Sequence, residues 1–143
     1  MQDHLKSRVE PQAFHDLVED IPFAMFTTTM ADGTLRSRPM VAHADAYDGM
    51  LWFFTRTTSP VATEIAGTPH VNVAYVSAPE DRFVSVSGRA SVVRDAAAAA
   101  RLWTPAFSKW FPGGPEDLEL SLIKIELTRI EFWDAKAGRM QKL

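Results

Sequence analysis

The sequence predicts a mainly β domain: a closed or partly closed antiparallel barrel of about six strands with peripheral helices. Three observations carry that reading. About six segments have the β-branched and aromatic composition or the period-two alternation of strands, turn signals recur every ~8 to 12 residues through the first half, and helices are inserted between strands at only two points. A doubly wound parallel sheet fits worse, because the βαβ alternation it requires is missing over the first strands. With 143 residues and 46% hydrophobic content, one domain spanning residues 1–143 is expected, with residues 1–8 flexible.

Taken in order, Phe14, Leu17, Val18 and Ile21 recur at helical spacing and predict an amphipathic helix from Pro11 to about Glu19, stopped by Pro22. Phe23 to Met30 follows as a strand and turns at Ala31-Asp32-Gly33 into a second, Leu35 to Ala44. A third strand, Leu51 to Thr55, lies beyond a Tyr47-Asp48-Gly49 turn signal, and the runs flanking that turn read as a hairpin. Thr58 or Ser59 then caps a short helix with Pro60 in its first turn and Gly67 just beyond its end. His70 to Val76 alternates with period two, and Phe83 to Val93 is a longer strand with Gly88 at a bulge or tight bend. Asp95 caps an alanine-rich helix, Ala96 to Trp103, which Thr104-Pro105 ends or kinks; Pro112-Gly113-Gly114-Pro115 is expected to be irregular. Finally Ile123, Ile125 and Leu127 alternate with Lys124 and Glu126, and Ile130 to Trp133 extends that strand or pairs with it.

Composition excludes several function classes. A formal charge of −3 gives no basic footprint for nucleic acid. No signal peptide pattern opens the chain and no apolar run has membrane-spanning length, so no membrane partner and a cytoplasmic location are expected. The absence of cysteine removes disulfides, thiolate nucleophiles, iron-sulfur ligation and a cysteinyl cofactor link. His4, His15, His43 and His70 have no ligand spacing, and no metal site is expected. Ser85-Val86-Ser87-Gly88 lacks the first glycine of a nucleophile elbow, and Gly113-Gly114 lacks the lysine and spacing of a phosphate-cradling loop.

What remains is the stretch from Leu35 to Ser59. Arg36 and Arg38 on one strand, and Thr55, Arg56, Thr57, Thr58 and Ser59 after the other, carry groups suited to an anionic ligand, with the helix N-terminus beyond Pro60 adding the Val61 and Ala62 amides. On spacing alone, arginines at alternate strand positions are more often a solvated face. Trp103, Phe107, Trp110 and Phe111 recur near helical spacing, which is more often core or dimer interface than a ligand wall.

Five collinear fragments change that balance: SRPM at Ser37 to Met40, WFFTRTTS at Trp52 to Ser59, the FVSVSGRASVV strand, LWTPAFSKWFPGGPED at Leu102 to Asp117, and the final EFWD. Together they resemble the general stress protein 26 type of flavoprotein, within the pyridoxamine 5′-phosphate oxidase-like, FMN-binding split-barrel superfamily. The resemblance implies a six-stranded antiparallel split β-barrel that forms a homodimer with FMN at the subunit interface. By position, it implies that Arg38, Pro39 and Met40 line the flavin ring, that Phe54 and Thr55 sit beside its polar edge, and that Ser59, with the Thr58 hydroxyl at hand, takes the phosphate. Trp133 would approach from the other subunit, and Trp103 and Trp110 would close the cleft.

Two departures qualify what the resemblance implies. Val61 stands where the family often has a phosphate-binding lysine, which leaves Arg36, Arg38 or Arg56 to compensate. True pyridoxamine 5′-phosphate oxidase activity is not expected, because the sequence stops at Leu143, shortly after Arg139, and the lysine-rich substrate clamp is reduced. The expected function is thus an FMN-dependent oxidoreductase of the general stress type with an unassigned substrate and no assigned catalytic residue. The alternative is a stress protein that holds FMN without turnover, and a third reading is a cofactor-free structural dimer.

Overall fold

A computed structural model describes residues 11–42, 47–136 and 138–142. The expected flexibility of residues 1–8 lies outside the described residues, as do His4 and the His43-Ala44-Asp45 run. The elements are α1 (Pro11–Val18), β1 (Phe23–Thr29), β2 (Leu35–Val41), β3 (Leu51–Arg56), α2 (Pro60–Gly67), β4 (His70–Ser77), β5 (Arg82–Val93), α3 (Ala96–Leu102), β6 (Leu120–Asp134) and β7 (Arg139–Lys142). Short 3-10 turns at Pro105–Lys109 and Gly114–Glu116 join α3 to β6. The stretch expected to be irregular therefore contains a single tight turn, and β7 was not foreseen.

All strand pairs are antiparallel, in the order β2-β1-β4-β5-β6-β3, with β7 also on β6. This is the expected mainly β, six-stranded split barrel: the sheet curls until its two edge strands, β2 and β3, approach each other without a shared ladder. The expected hairpin between those strands is corrected. β2 pairs with β1 and β3 with β6, and the turn at Tyr47–Gly49 joins only Tyr47 to Leu51. The edge position suits β2, because Pro39 cannot donate to a ladder on a strand paired along both sides.

Alternation along the strands sorts side chains between the barrel interior and the outside. Ala24, Phe26 and Thr28 of β1, Val71, Val73 and Tyr75 of β4, and Val84 and Val86 of β5 all point inward with Phe14 and Val18 of α1. β6 changes parity within its length: Ile123, Ile125 and Leu127 face the core before the irregularity, and Ile130 and Phe132 after it. The cause is a bulge. Ser87 pairs with Arg129 but Gly88 with Leu127, so Thr128 is the extra residue. Gly88 is required there because an added Cβ would lie 2.4 Å from the Glu126 carbonyl oxygen and 2.6 Å from Ile125 Cγ2.

β3 is buried on both faces, which explains its unbroken apolar run Leu51-Trp52-Phe53-Phe54. Leu51 and Phe53 enter the barrel core, whereas Trp52 packs outside it with Leu122, Phe107, Phe111 and the Ala98, Ala99 and Leu102 face of α3. Small residues on α3 let that helix lie close against the sheet. This second core places the aromatic segment after α3 beside the end of β3.

Candidate functional site

The gap between the two sheet edges is a cleft of about 400 Å³, at the lower end of the volumes typical of small-molecule sites. One wall is β2, from Arg36 to Val41; the other is the end of β3 and the start of α2, with Phe54, Thr55, Ser59 and Val61. Phe107, Trp110 and Phe111 form an aromatic wall. Phe54 anchors it, with its ring 4.5 Å from that of Phe107 in an edge-to-face contact.

Of the residues expected at a site, the structure brings together Arg38, Pro39, Met40, Phe54, Thr55, Ser59 and Trp110. Thr58 is exposed and does not line the cleft. Trp103 sits behind the wall, its ring 6.1 Å from Phe54 and 5.9 Å from Phe107. Trp133 lies far across the sheet, between Phe83 of β5 and Met140 of β7.

At the polar end, Ser59 is the N-cap of α2, its hydroxyl accepting from the Ala62 amide at 3.3 Å and lying 2.8 Å from Thr55 Oγ1. Pro60 occupies the first turn of the helix, where its missing N–H costs nothing. The cap and the Thr55–Ser59 bond tie the helix end to β3, and both residues line the cleft.

The arginines of β2 are neither a solvated face nor open anion ligands. Their register with Phe26 and Thr28 points them into the barrel mouth, where Glu64 of α2 waits. Arg38 Nη2 donates to Glu64 Oε1 at 2.6 Å and Nη1 to Thr28 Oγ1 at 2.9 Å; Thr28 in turn donates to the same Glu64 oxygen at 2.6 Å. Arg36 Nη1 lies 3.6 Å from Glu64 Oε2. The Thr28 hydrogen bond first, and then the Arg38 and Arg36 guanidiniums, hold the Glu64 carboxyl below the usual glutamate value against the opposing effect of burial. Arg38 Nε is buried with no hydrogen-bond partner among the described residues.

Arg56, the third cation of the cleft, pairs with Glu119 at 2.6 Å and donates to the Trp110 carbonyl at 2.8 Å. Three guanidiniums therefore face two carboxylates at this end, a local excess of one positive charge. Glu64 is the member of this charged network that the sequence reading does not single out. Its signal was its place three residues after Val61, on the same face of a largely apolar helix.

Elsewhere, His15 Nδ1 lies 3.3 Å from Glu19 and 3.8 Å from Asp16, a grouping of possible metal donors at the end of α1 and just beyond it that the histidine spacings do not reveal. No described helix is long and apolar enough to cross a membrane.

Comparison with known proteins agrees with this architecture. The family described as pyridoxamine 5′-phosphate oxidase like matches residues 10–143. The protein bli-3 of Neurospora crassa is 29% identical over 120 residues, which cover 77% of this chain and 57% of that protein, so the match spans little more than half of that relative. Among solved structures, the general stress protein 26 of Bacillus anthracis superposes with a TM-score of 0.75 at 23% identity, covering 98% of this chain and 99% of the other. The general stress FMN/FAD binding protein of Xanthomonas citri gives 0.71 at 23% identity, covering 96% of each chain. With nearly the whole sequence matched and the split barrel in place around its cleft, the chain belongs to the pyridoxamine 5′-phosphate oxidase-like family.

Proposed function

We propose that the cleft binds FMN and that the protein is a flavin-dependent oxidoreductase of the general stress type, active as a homodimer in the cytoplasm. The observation that carries the reading is the composition of the cleft: an aromatic and apolar wall leads to the Thr55 and Ser59 hydroxyls, a helix N-terminus and three arginines. The residues fit the group. Phe54, Phe107, Trp110, Met40 and Val41 exclude water from a planar ring, while Ser59, Arg36 and Arg56 orient a phosphate at the other end. Bound flavin supplies hydride or single-electron transfer, and the protein supplies position and electrostatics.

A row of exposed apolar side chains supports the homodimer. On the outer sheet face Val41 pairs with Phe23, Val76 with Phe83 and Phe83 with Trp133, and Phe23 and Val76 lie two residues beyond the Met25–Ala74 end of the β1–β4 ladder; Phe23 is 59%, Val76 53% and Phe83 40% exposed, and Val41 and Trp133 are half-buried. The row starts in the cleft, where Val41 and Phe23 are lining residues, and ends at Trp133 about 20 Å away, four inter-strand spacings. A two-fold axis through its middle exchanges the ends. Such a dimer carries the partner's Trp133 to the mouth of this cleft, which accounts for its distance from the cleft of its own chain.

FMN is tested by titrating the flavin-free protein and following flavin fluorescence. Saturable quenching at one FMN per chain is expected; absence of binding contradicts the reading.

One observation favours the second reading, a flavin-holding protein without turnover. None of the described residues lining the cleft is Asp, Glu, His, Lys, Cys or Tyr, so the chain itself places no group there to exchange protons near neutrality. Anaerobic addition of NADH or NADPH separates the two: bleaching of the bound flavin shows turnover, and inertness to both donors favours the holder.

A further inference from the structure

We infer that Glu64 is a specificity-determining residue of the cleft, one that neutralises Arg36 and Arg38 and makes the site select its flavin by the ring more than by the phosphate. The inference rests on the flavin reading above. Glu64 is only 10% exposed, and both of its oxygens are engaged: Oε1 by Arg38 and Thr28, Oε2 by Arg36. The bonds to Oε1, at 2.6 Å, have the short lengths of charge-assisted contacts.

The placement is specific to the cleft. Arg36 and Arg38 are lining residues, and Glu64 reaches them from the first two turns of the helix whose N-terminus ends the cleft, one turn beyond Val61. A phosphate approaching that end therefore meets two guanidiniums already paired with an internal carboxylate. It either competes with Glu64 or relies on Arg56, which is itself held by Glu119. The two arginines are not equal in this. Arg38 is 16% exposed and held by Glu64 and Thr28, whereas Arg36 is 43% exposed and 3.6 Å from its partner. Arg36 is thus the cation that a phosphate recruits, and Arg38 serves to hold α2 against β1 and β2.

FMN and riboflavin share the ring and differ in the phosphate, so the ratio of their affinities reads the phosphate's contribution alone. Both are titrated into wild type, Glu64→Gln and Arg36→Gln, with folding checked by far-UV circular dichroism. Glutamine keeps an oxygen for Thr28 and Arg38 but removes the charge. The FMN-to-riboflavin affinity ratio is expected to rise about tenfold in Glu64→Gln, the scale of one charge-assisted hydrogen bond, with riboflavin little changed. In Arg36→Gln, a change on an exposed edge strand, the ratio is expected to fall. A ratio that stays constant or falls in Glu64→Gln, or stays constant in Arg36→Gln, overturns the inference while the flavin site stands. Binding of neither flavin by wild type overturns both.

Discussion

Arg56 Nη1 and Glu119 Oε2 lie 2.6 Å apart although 63 positions separate them in sequence, and the same guanidinium donates to the Trp110 carbonyl at 2.8 Å. Its carbon also sits 5.6 Å from the centre of the Phe111 ring. Arg56 therefore fastens the aromatic segment to the end of β3. Arg56→Gln is expected to loosen that wall. The ion pair is exposed and contributes less than about 1 kcal/mol, and the carbonyl hydrogen bond adds about 1 kcal/mol. A fall in melting temperature of about 3 to 5 °C is expected. Tryptophan quenching by acrylamide should rise, and FMN affinity should drop with the lost wall.

Gly88 gives the sharpest stability prediction. A methyl group there meets the backbone of Glu126, which cannot yield without moving β6. Gly88→Ala is expected to lose about 3 kcal/mol or more, beyond the usual overpacking cost for a flexible neighbour. Urea denaturation checks it. Gly67 offers the contrast, since a Cβ there meets nothing within 4 Å, and Gly67→Ala is expected to fold normally.

The Glu64 pair makes stability depend on pH with a defined sign. Its folded-state carboxyl lies below the usual value of 4.5, so its stabilisation is fully present above that value and is lost as pH falls through the folded-state one. At pH 7, Glu64→Gln is expected to be less stable than wild type by about 1 to 3 kcal/mol, the scale of hydrogen bonds to a charged group. The difference in melting temperature should narrow as pH drops below about 4.5. A constant difference from pH 7 to pH 3 would show that Glu64 contributes packing alone.

Phe83 tests the apolar row. A charge next to its middle, one strand from Val76, opposes any partner sheet, while the side chain, 40% exposed, leaves the barrel core untouched. Phe83→Asp is expected to shift the protein from dimer to monomer by sedimentation equilibrium and to weaken FMN binding in parallel. Retention of the dimer would place the interface elsewhere.

Much of this fold was legible because alternation and capping are local. The inward Val71, Val73 and Tyr75 of β4, the Ser59 and Asp95 caps, and the Gly88 irregularity all follow from residues within a few positions. Pairing partners are not local. The Ala31-Asp32-Gly33 turn marks the β1–β2 pairing, but the turn at Tyr47–Gly49 is present without a β2–β3 ladder, and nothing in β3 encodes that its partner is β6. β7 was missed because four residues carry no period. Arg36 and Arg38 were visible as candidate ligands, but their counter-charge lies 28 and 26 positions further on, within a helix that otherwise reads as apolar filler.

Equilibrium titration of FMN against wild type and Ser59→Glu tests whether the flavin sits between β2 and β3. A carboxylate at the helix N-cap position favours the helix dipole, so the substitution should leave the fold intact while placing a negative charge at the phosphate end of the cleft. Wild type is expected to bind one FMN per chain, and Ser59→Glu to bind about a hundredfold more weakly. Equal affinity in the two proteins would contradict the placement of the flavin between β2 and β3.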